Sequence, residues 1–115
     1  MNSIKENKSS IAIDFDGVIH KYSKGYNTGE IYDVPVDGAK VAIEMLRRDF
    51  NIIVSTARED VRPVLAWLTK HSIIVDEVTN KKPIAAIYID DKGLRFENWF
   101  KAYFDIYKLL ELTPS

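Results

Sequence analysis

The chain has 115 residues, 46% hydrophobic and 29% charged, with 16 Lys and Arg against 17 Asp and Glu and a formal net charge of −1. This length suits a single domain, 1–115, with a real core and no room for a second. A near-neutral chain offers no bulk attraction to nucleic acid or to an anionic membrane. Because cysteine is absent, a disulfide scaffold, a thiolate nucleophile and a Cys-ligated zinc site are all excluded. No apolar run is long enough to cross a bilayer and the polar N-terminus lacks a signal-peptide pattern, so a cytoplasmic location is the expectation.

Residues 1–9 are polar and aperiodic and read as a flexible lead-in. Residues 10–14 form the first predicted strand, a β-branched run that ends in Asp14-Phe15-Asp16-Gly17. Asp is depleted in strands, so two carboxylates at one strand end need a reason. A polar turn is the simplest, and a metal-assisted site with one carboxylate as nucleophile is the other. Residues 18–34 hold two short strand-like pieces around a Gly/Ser/Asn-rich centre and predict a hairpin or flap beside the strand tip. A helix follows with Asp37 as its N-cap, a stripe of Val41, Ala42, Met45 and Leu46, and Arg47 and Arg48 at the negative end of its dipole.

Residues 51–55 predict a second strand, ending at Ser55-Thr56-Ala57-Arg58. Glu59 and Asp60 open the next helix, which buries Val64, Leu65, Trp67 and Leu68. Residues 73–75 are the third strand candidate and residues 84–89 the fourth, running into Asp90-Asp91. A last helix spans 96–112, with Trp99, Tyr103, Ile106 and Leu110 on one stripe. Apolar strands alternating with amphipathic helices predict an α/β, three-layer Rossmann-like fold, its mostly parallel central sheet flanked by helices on both faces and joined by right-handed crossovers.

Open α/β sheets bind ligands at the carboxyl ends of their strands. Four polar groups fall there: Asp14 with Asp16, Ser55 with Thr56, Lys81 with Lys82, and Asp90 with Asp91. Each alone has a plain explanation, as a turn, a helix cap or an exposed loop lysine. Their order along one predicted edge is what turns them into a candidate site.

In that order the four groups resemble the motifs of the haloacid dehalogenase-like (HAD) superfamily. Asp14-Phe15-Asp16-Gly17-Val18 resembles its first motif, with Val18 where threonine is commoner, and Ile52 to Arg58 resembles the second. Lys82-Pro83 looks like the third-motif lysine and Tyr88-Ile89-Asp90-Asp91 like the acidic fourth, so that the resemblance runs from Ser10 to about Leu94. It implies a phosphatase that works through an aspartyl-phosphate. Asp14 is then the nucleophile, Asp16 the general acid and base, Thr56 a hydrogen-bond donor to phosphate, and Lys82 the cation beside the nucleophile. Ser55 and Gly17 fall within the implied phosphate-binding set. Crowded carboxylates call for a hard cation, and the resemblance implies Mg²⁺ on the Asp14 carboxylate, the Asp16 carbonyl and the Asp90 carboxylate, supported by Asp91.

Two registers stay open. Thr56 is preferred to Ser55 for its TxR continuation, and Lys82 to Lys81 because it precedes Pro83. His20, Tyr22, Tyr26 and Tyr32 in the flap suit a substrate rim, with ordinary loop packing as the plainer reading. Arg58 is expected in a salt bridge within its helix, with contact to the phosphate as the other reading, and His71 at a helix end without a role. Neither gap between motifs has room for a cap domain, so the resemblance is to a capless member. Its phosphorylated substrate is large, with nucleic acid entering only as substrate, or a second subunit covers the site. Monomer and homodimer both remain. The alternatives are a receiver-like phosphoaspartate switch and a catalytically idle phosphate-binding module on the same fold.

Overall fold

A computed structural model of the chain describes residues 4–25, 29–90 and 94–115. Its elements are β1 (Ser9–Asp14), α1 (Ala39–Leu46), β2 (Phe50–Ser55), α2 (Arg62–Lys70), β3 (Glu77–Thr79), β4 (Ile87–Asp90), β5 (Leu94–Arg95) and α3 (Trp99–Leu110). The five strands form one sheet of order β3-β2-β1-β4-β5, with every pairing parallel. An α/β chain with a central parallel sheet is therefore what the alternation of elements predicts and what is found. From β1 the chain moves to one side through β2 and β3, then returns past β1 to β4. The end of β1 thus lies at a topological switch point, where open parallel sheets form a ligand crevice.

The two faces of the sheet differ. In the observed register Ile11 pairs with Ile52 and Ile87, while Ile13 pairs with Val54 and Ile89. Side chains alternate along strands, so these six share one face. They belong to a single hydrophobic cluster with Ala39, Ala42, Ile43 and Leu46 of α1, Val64, Trp67 and Leu68 of α2, and Trp99, Ala102, Tyr103, Ile106 and Tyr107 of α3. All three helices feed the same side of the sheet. The other face carries Ala12, Asp14, Ile53, Ser55, Tyr88 and Asp90, of which Ala12 and Ile53 are buried.

Residues 80–86 link β3 to β4 and stand where a three-layer fold has its helix on that face. The Tyr88 hydroxyl donates to the Pro83 carbonyl at 2.6 Å and accepts the Ala85 N–H at 3.2 Å, and the Ala86 N–H donates to the Ser10 carbonyl at 2.8 Å. An extended strap crosses the polar face in the helix's place, so helices on both faces are corrected to helices on one. Ile84 of the strap is 95% exposed and adds nothing to the core.

Several local expectations shift for identifiable reasons. Ahead of β1, buried Asn51 accepts the Lys5 N–H at 2.9 Å and donates to the Lys5 and Lys8 carbonyls. Residues 73–75 do not form the third strand. Ser72 takes a left-handed φ of 57° and the Ile73 N–H turns back to the Leu68 carbonyl, so Ile73 packs under α2 and the ladder starts only after Asp76. Asp76 is 4% exposed. It accepts the Ile52 N–H at 2.7 Å and two bonds from Arg47, which therefore serves a buried carboxylate as well as the end of its helix.

At α1 the N-cap is Gly38, with φ 83° and no side-chain cap, rather than Asp37. A Cβ there would stand 3.4 Å from that of Trp99. The buried stripe is Ala39, Ala42, Ile43 and Leu46, leaving Val41 59% exposed. Strand β5, two residues long, has too little pattern to be read from sequence.

Ile106, fully buried between α3 and the sheet, sets a test of this one-sided core. Ile106→Ala is expected to cost about 2–5 kcal/mol in urea unfolding. Ile84→Ala, on the outside of the strap, should stay within about 0.5 kcal/mol of wild type.

Candidate active site

At the switch point the ends of β1, β2 and β4 and the strap enclose a cavity of about 370 Å³. Asp14, Ser55, Thr56, Lys82 and Asp90 all line it, and Ala12 forms part of its wall. The register explains the convergence. Asp14 pairs directly with Ser55, and Asp90 lies one residue beyond the Ile13–Ile89 pair, so β1 sets both neighbours at nearly one level.

Each side chain is held locally. Asp14 Oδ1 accepts the Phe15 N–H at 3.1 Å. Thr56 is 5% exposed, its N–H donates to the Thr79 carbonyl at 3.0 Å, and its Oγ1 accepts the Arg58 N–H at 3.1 Å. With that lone pair engaged, the hydroxyl hydrogen remains for an oxygen in the cavity. Lys82 Nζ stands 5.6 Å from the centroid of the Tyr88 ring, a cation–π contact that steers the ammonium over the polar face. Lys81 does not line the cavity, and its N–H caps Thr79 Oγ1 at 3.1 Å. The geometry favours Lys82 over Lys81. It brings both Ser55 and Thr56 to the cavity. Asp91 lies outside the described residues.

The two carboxylates on this cavity, Asp14 and Asp90, are hard oxygen donors of the kind that Mg²⁺ takes. Among the described residues no three or more His, Cys, Asp or Glu side chains cluster as a metal group. Of the magnesium ligands expected from the sequence, the cavity brings together the Asp14 and Asp90 carboxylates, while Asp16 lines the neighbouring cavity.

Asp16 lies elsewhere than strand alternation predicts. β1 ends at Asp14, and the chain then winds so that the N–H groups of Val18, Ile19 and His20 all point at the Phe15 carbonyl. Once the chain has left the strand, residues i and i+2 no longer share a face. The Asp16 side chain lines a second cavity of about 550 Å³, together with Tyr22, Gly29, Arg58, Glu59 and Asp60. Ala57 borders both cavities, so the two adjoin. Gly17 makes the turn with φ 86°, a conformation that L side chains rarely adopt, and its N–H is directed to the His20 carbonyl at 2.8 Å rather than into the Asp14 cavity.

Both Asp16 oxygens are engaged. Arg58 Nε donates to Oδ2 at 3.0 Å and Arg58 Nη2 to Oδ1 at 3.0 Å, a bidentate pair across the β1 and β2 exits. Arg58 precedes α2, so the expected salt bridge within its helix is replaced by this one. Arg58 Nη1 also donates to the Gly29 carbonyl. Oδ1 of Asp16 lies 2.8 Å from Nδ1 of His20. His20 is fully buried, which removes it from a substrate rim, and the sequence carries no signal that would have marked it as a partner of Asp16. His71, at the end of α2, packs its ring 4.3 Å from that of Trp67, and its imidazole is pushed below its ordinary pKa by burial and by nearby Lys70.

The flap forms no ladder among the described residues, only isolated bridges from His20 to Asp16 and to Pro35. Side chains close it instead. Asp33 accepts from the Ser23 hydroxyl and N–H, the Tyr32 hydroxyl accepts the Lys24 N–H and donates to the Gly25 carbonyl, and Trp67 Nε1 donates to the Asp33 carbonyl at 3.0 Å. Tyr26 lies outside the described residues.

No family model matches the chain, and neither curated proteins nor solved structures give a match.

The Ser23 hydroxyl, the Ser23 N–H and the Val34 N–H together lower the Asp33 carboxyl from 3.8 to about 2. A carboxyl depressed by folding contributes stability that is whole above its unfolded value and is lost as pH falls through its folded one. The bonds from Ser23 to the Asp33 carboxylate are therefore expected to persist at pH 4 and to release with a midpoint near pH 2. The Ser23 amide resonance reports it, and Asp33→Asn should remove the acid transition.

Proposed function

We propose that this chain is a Mg²⁺-dependent phosphohydrolase of the capless HAD type, acting on a phosphate monoester through an aspartyl-phosphate at Asp14. The reading rests on one observation above the others: a carboxylate, two hydroxyls, a lysine and a second carboxylate line a single cavity at the switch point of a parallel sheet. A phosphate monoester resists attack by anions, and those groups supply a nucleophile and the means to neutralise charge around it. Asp14 and Asp90 would hold the magnesium ion, which would supply positive charge to the phosphoryl oxygens.

Asp14 attacks phosphorus, the bond from phosphorus to the ester oxygen breaks, and that oxygen takes a proton from Asp16. In the second step Asp16 takes a proton from water, whose oxygen attacks the aspartyl-phosphate, freeing inorganic phosphate and restoring the Asp14 carboxylate. Lys82 pairs with Asp14 and the phosphoryl charge, while the Thr56 hydroxyl donates to a phosphoryl oxygen. The two adjoining cavities suit this division: the phosphoryl group occupies the one with Asp14, and the leaving group extends past Ala57 into the larger one with Asp16. For Asp16 to reach the ester oxygen, Arg58 releases at least one of the carboxylate oxygens. Among the described residues between the motifs there is no cap, which suits a large substrate or cover by a second subunit.

The purified chain is expected to hydrolyse a generic aryl phosphate with Mg²⁺, to lose this on chelation, and to lose it in Asp14→Asn. Normal turnover by D14N would overturn the reading, and a long-lived phosphoaspartate without turnover would favour a switch in its place. Lys82→Ala should lower kcat by about 10²- to 10³-fold, whereas Lys81→Ala should stay close to wild type.

A further inference from the structure

We propose that His20 is a positioning residue for Asp16, a single imidazole in a fixed tautomer that ties the candidate acid/base carboxylate to the base of the flap. The proposal rests on the phosphohydrolase reading for the role of Asp16, and on the structure's own hydrogen bonds for the link.

The tautomer follows from the partners. His20 Nε2 accepts the Asp33 N–H at 3.0 Å, so this nitrogen presents its lone pair. A neutral imidazole that accepts at one nitrogen carries its hydrogen on the other. That hydrogen, on Nδ1, points at Asp16 Oδ1 across 2.8 Å. A ring with hydrogens on both nitrogens would set a donor against the Asp33 N–H. The wrong tautomer would oppose two lone pairs at Asp16 and two donors at Asp33. One arrangement satisfies both ends.

The ring has no freedom to take another position. It is fully buried, stacked on Phe15 at 5.4 Å between centroids, and met by Tyr22, Tyr32 and Trp67 at 5.6, 5.3 and 5.6 Å. Its main chain is equally committed: the N–H donates to the Phe15 carbonyl and the carbonyl accepts the Gly17 N–H. Arg58, the other partner of Asp16, has a side chain 17% exposed on the larger cavity. The two partners therefore differ in kind. Arg58 is placed to let go when a leaving group arrives, and His20 stays, holding one carboxylate oxygen so that the other is presented. Because the same ring accepts from Asp33, the setting of Asp16 depends on the flap base being closed.

A buried histidine that serves only packing would lose stability when replaced, with turnover per folded molecule unchanged. Two amides separate the possibilities. In His20→Asn the side-chain NH₂ takes the place of Nδ1 and keeps a donor toward Asp16, whereas His20→Gln reaches the place of Nε2 and keeps an acceptor toward Asp33. The measurements are kcat and KM on an aryl phosphate with Mg²⁺, with the folded fraction of each variant fixed by urea unfolding. His20→Gln is expected to lower kcat by about tenfold to a hundredfold with little change in KM, as a misaimed catalytic group does, and His20→Asn to recover most of that loss. Full kcat in folded H20Q, or equal losses in both variants, would overturn the proposal.

The tautomer is read separately by ¹⁵N NMR of the wild-type imidazole at pH 7.5. The expected pattern is a protonated Nδ1 and a bare Nε2, with the Nδ1 hydrogen shifting in Asp16→Ala. The opposite tautomer would overturn the proposal whatever the activity. A wild-type chain without phosphatase activity but with the expected NMR pattern would sink the phosphohydrolase reading and, with it, the catalytic meaning of the link, leaving the His20–Asp16 bond itself in place.

Discussion

β1 carries bulky apolar side chains on one side and small or polar ones on the other, and the protein is built on that difference. Ile11, Ile13 and Phe15 are fully buried against three helices, while Ala12 and Asp14 face the strap. At about 25 cal/mol per Å² of apolar surface removed from water, the helices have every reason to gather on the first side. The second side buries Ala12 and Ile53 and otherwise carries Asp14, Ser55, Tyr88 and Asp90. What closes it is a run of hydrogen bonds from Tyr88 and Ala86, and the cavity that holds Asp14 lies beneath.

Core and site meet at Phe15. Its ring lies edge-on to Trp67 and stacked on His20, and its carbonyl gathers three successive N–H groups. That knot forces the chain out of strand geometry one residue after Asp14, which sends Asp16 to the neighbouring cavity. A hydrophobic contact thereby sets the direction of a carboxylate. The flap joins the same assembly through Trp67 and Asp33, so that aromatic packing, the flap base and the setting of Asp16 form one connected unit.

Much of this was legible in the residues. The strand runs at Ile11 and Ile52, the helix stripe of Trp99, Tyr103 and Ile106, and the polar groups at Asp14, Thr56, Lys82 and Asp90 rest on local pattern, which a sequence displays directly. Other features were hidden because they depend on partners far away in the chain. Ile73 looks like a strand residue and is a helix-end residue, since the Leu68 carbonyl claims its N–H. Val41 and Ile43 are both apolar, and the core takes Ile43 while Val41 stays 59% exposed. Asp76 looks like a connector and is a buried carboxylate holding Arg47 and Ile52. Residues 84–86 continue an apolar run yet belong to the strap, because the β1 register admits β4 only from Ile87.

By itself the sequence determined the parallel α/β character of the chain, since periods of two and of about 3.6 residues are local properties of the polymer. It also determined which strand ends carry oxygen and lysine groups. Only the tertiary structure decided that all three helices cover one face, because nothing local says which face a helix will choose. Only the tertiary structure, too, separated Asp14 from Asp16 and gave the latter His20 and Arg58. Those bonds join residues 4 and 42 positions apart, across a turn whose shape is set by burial of Phe15 and not by the carboxylates themselves.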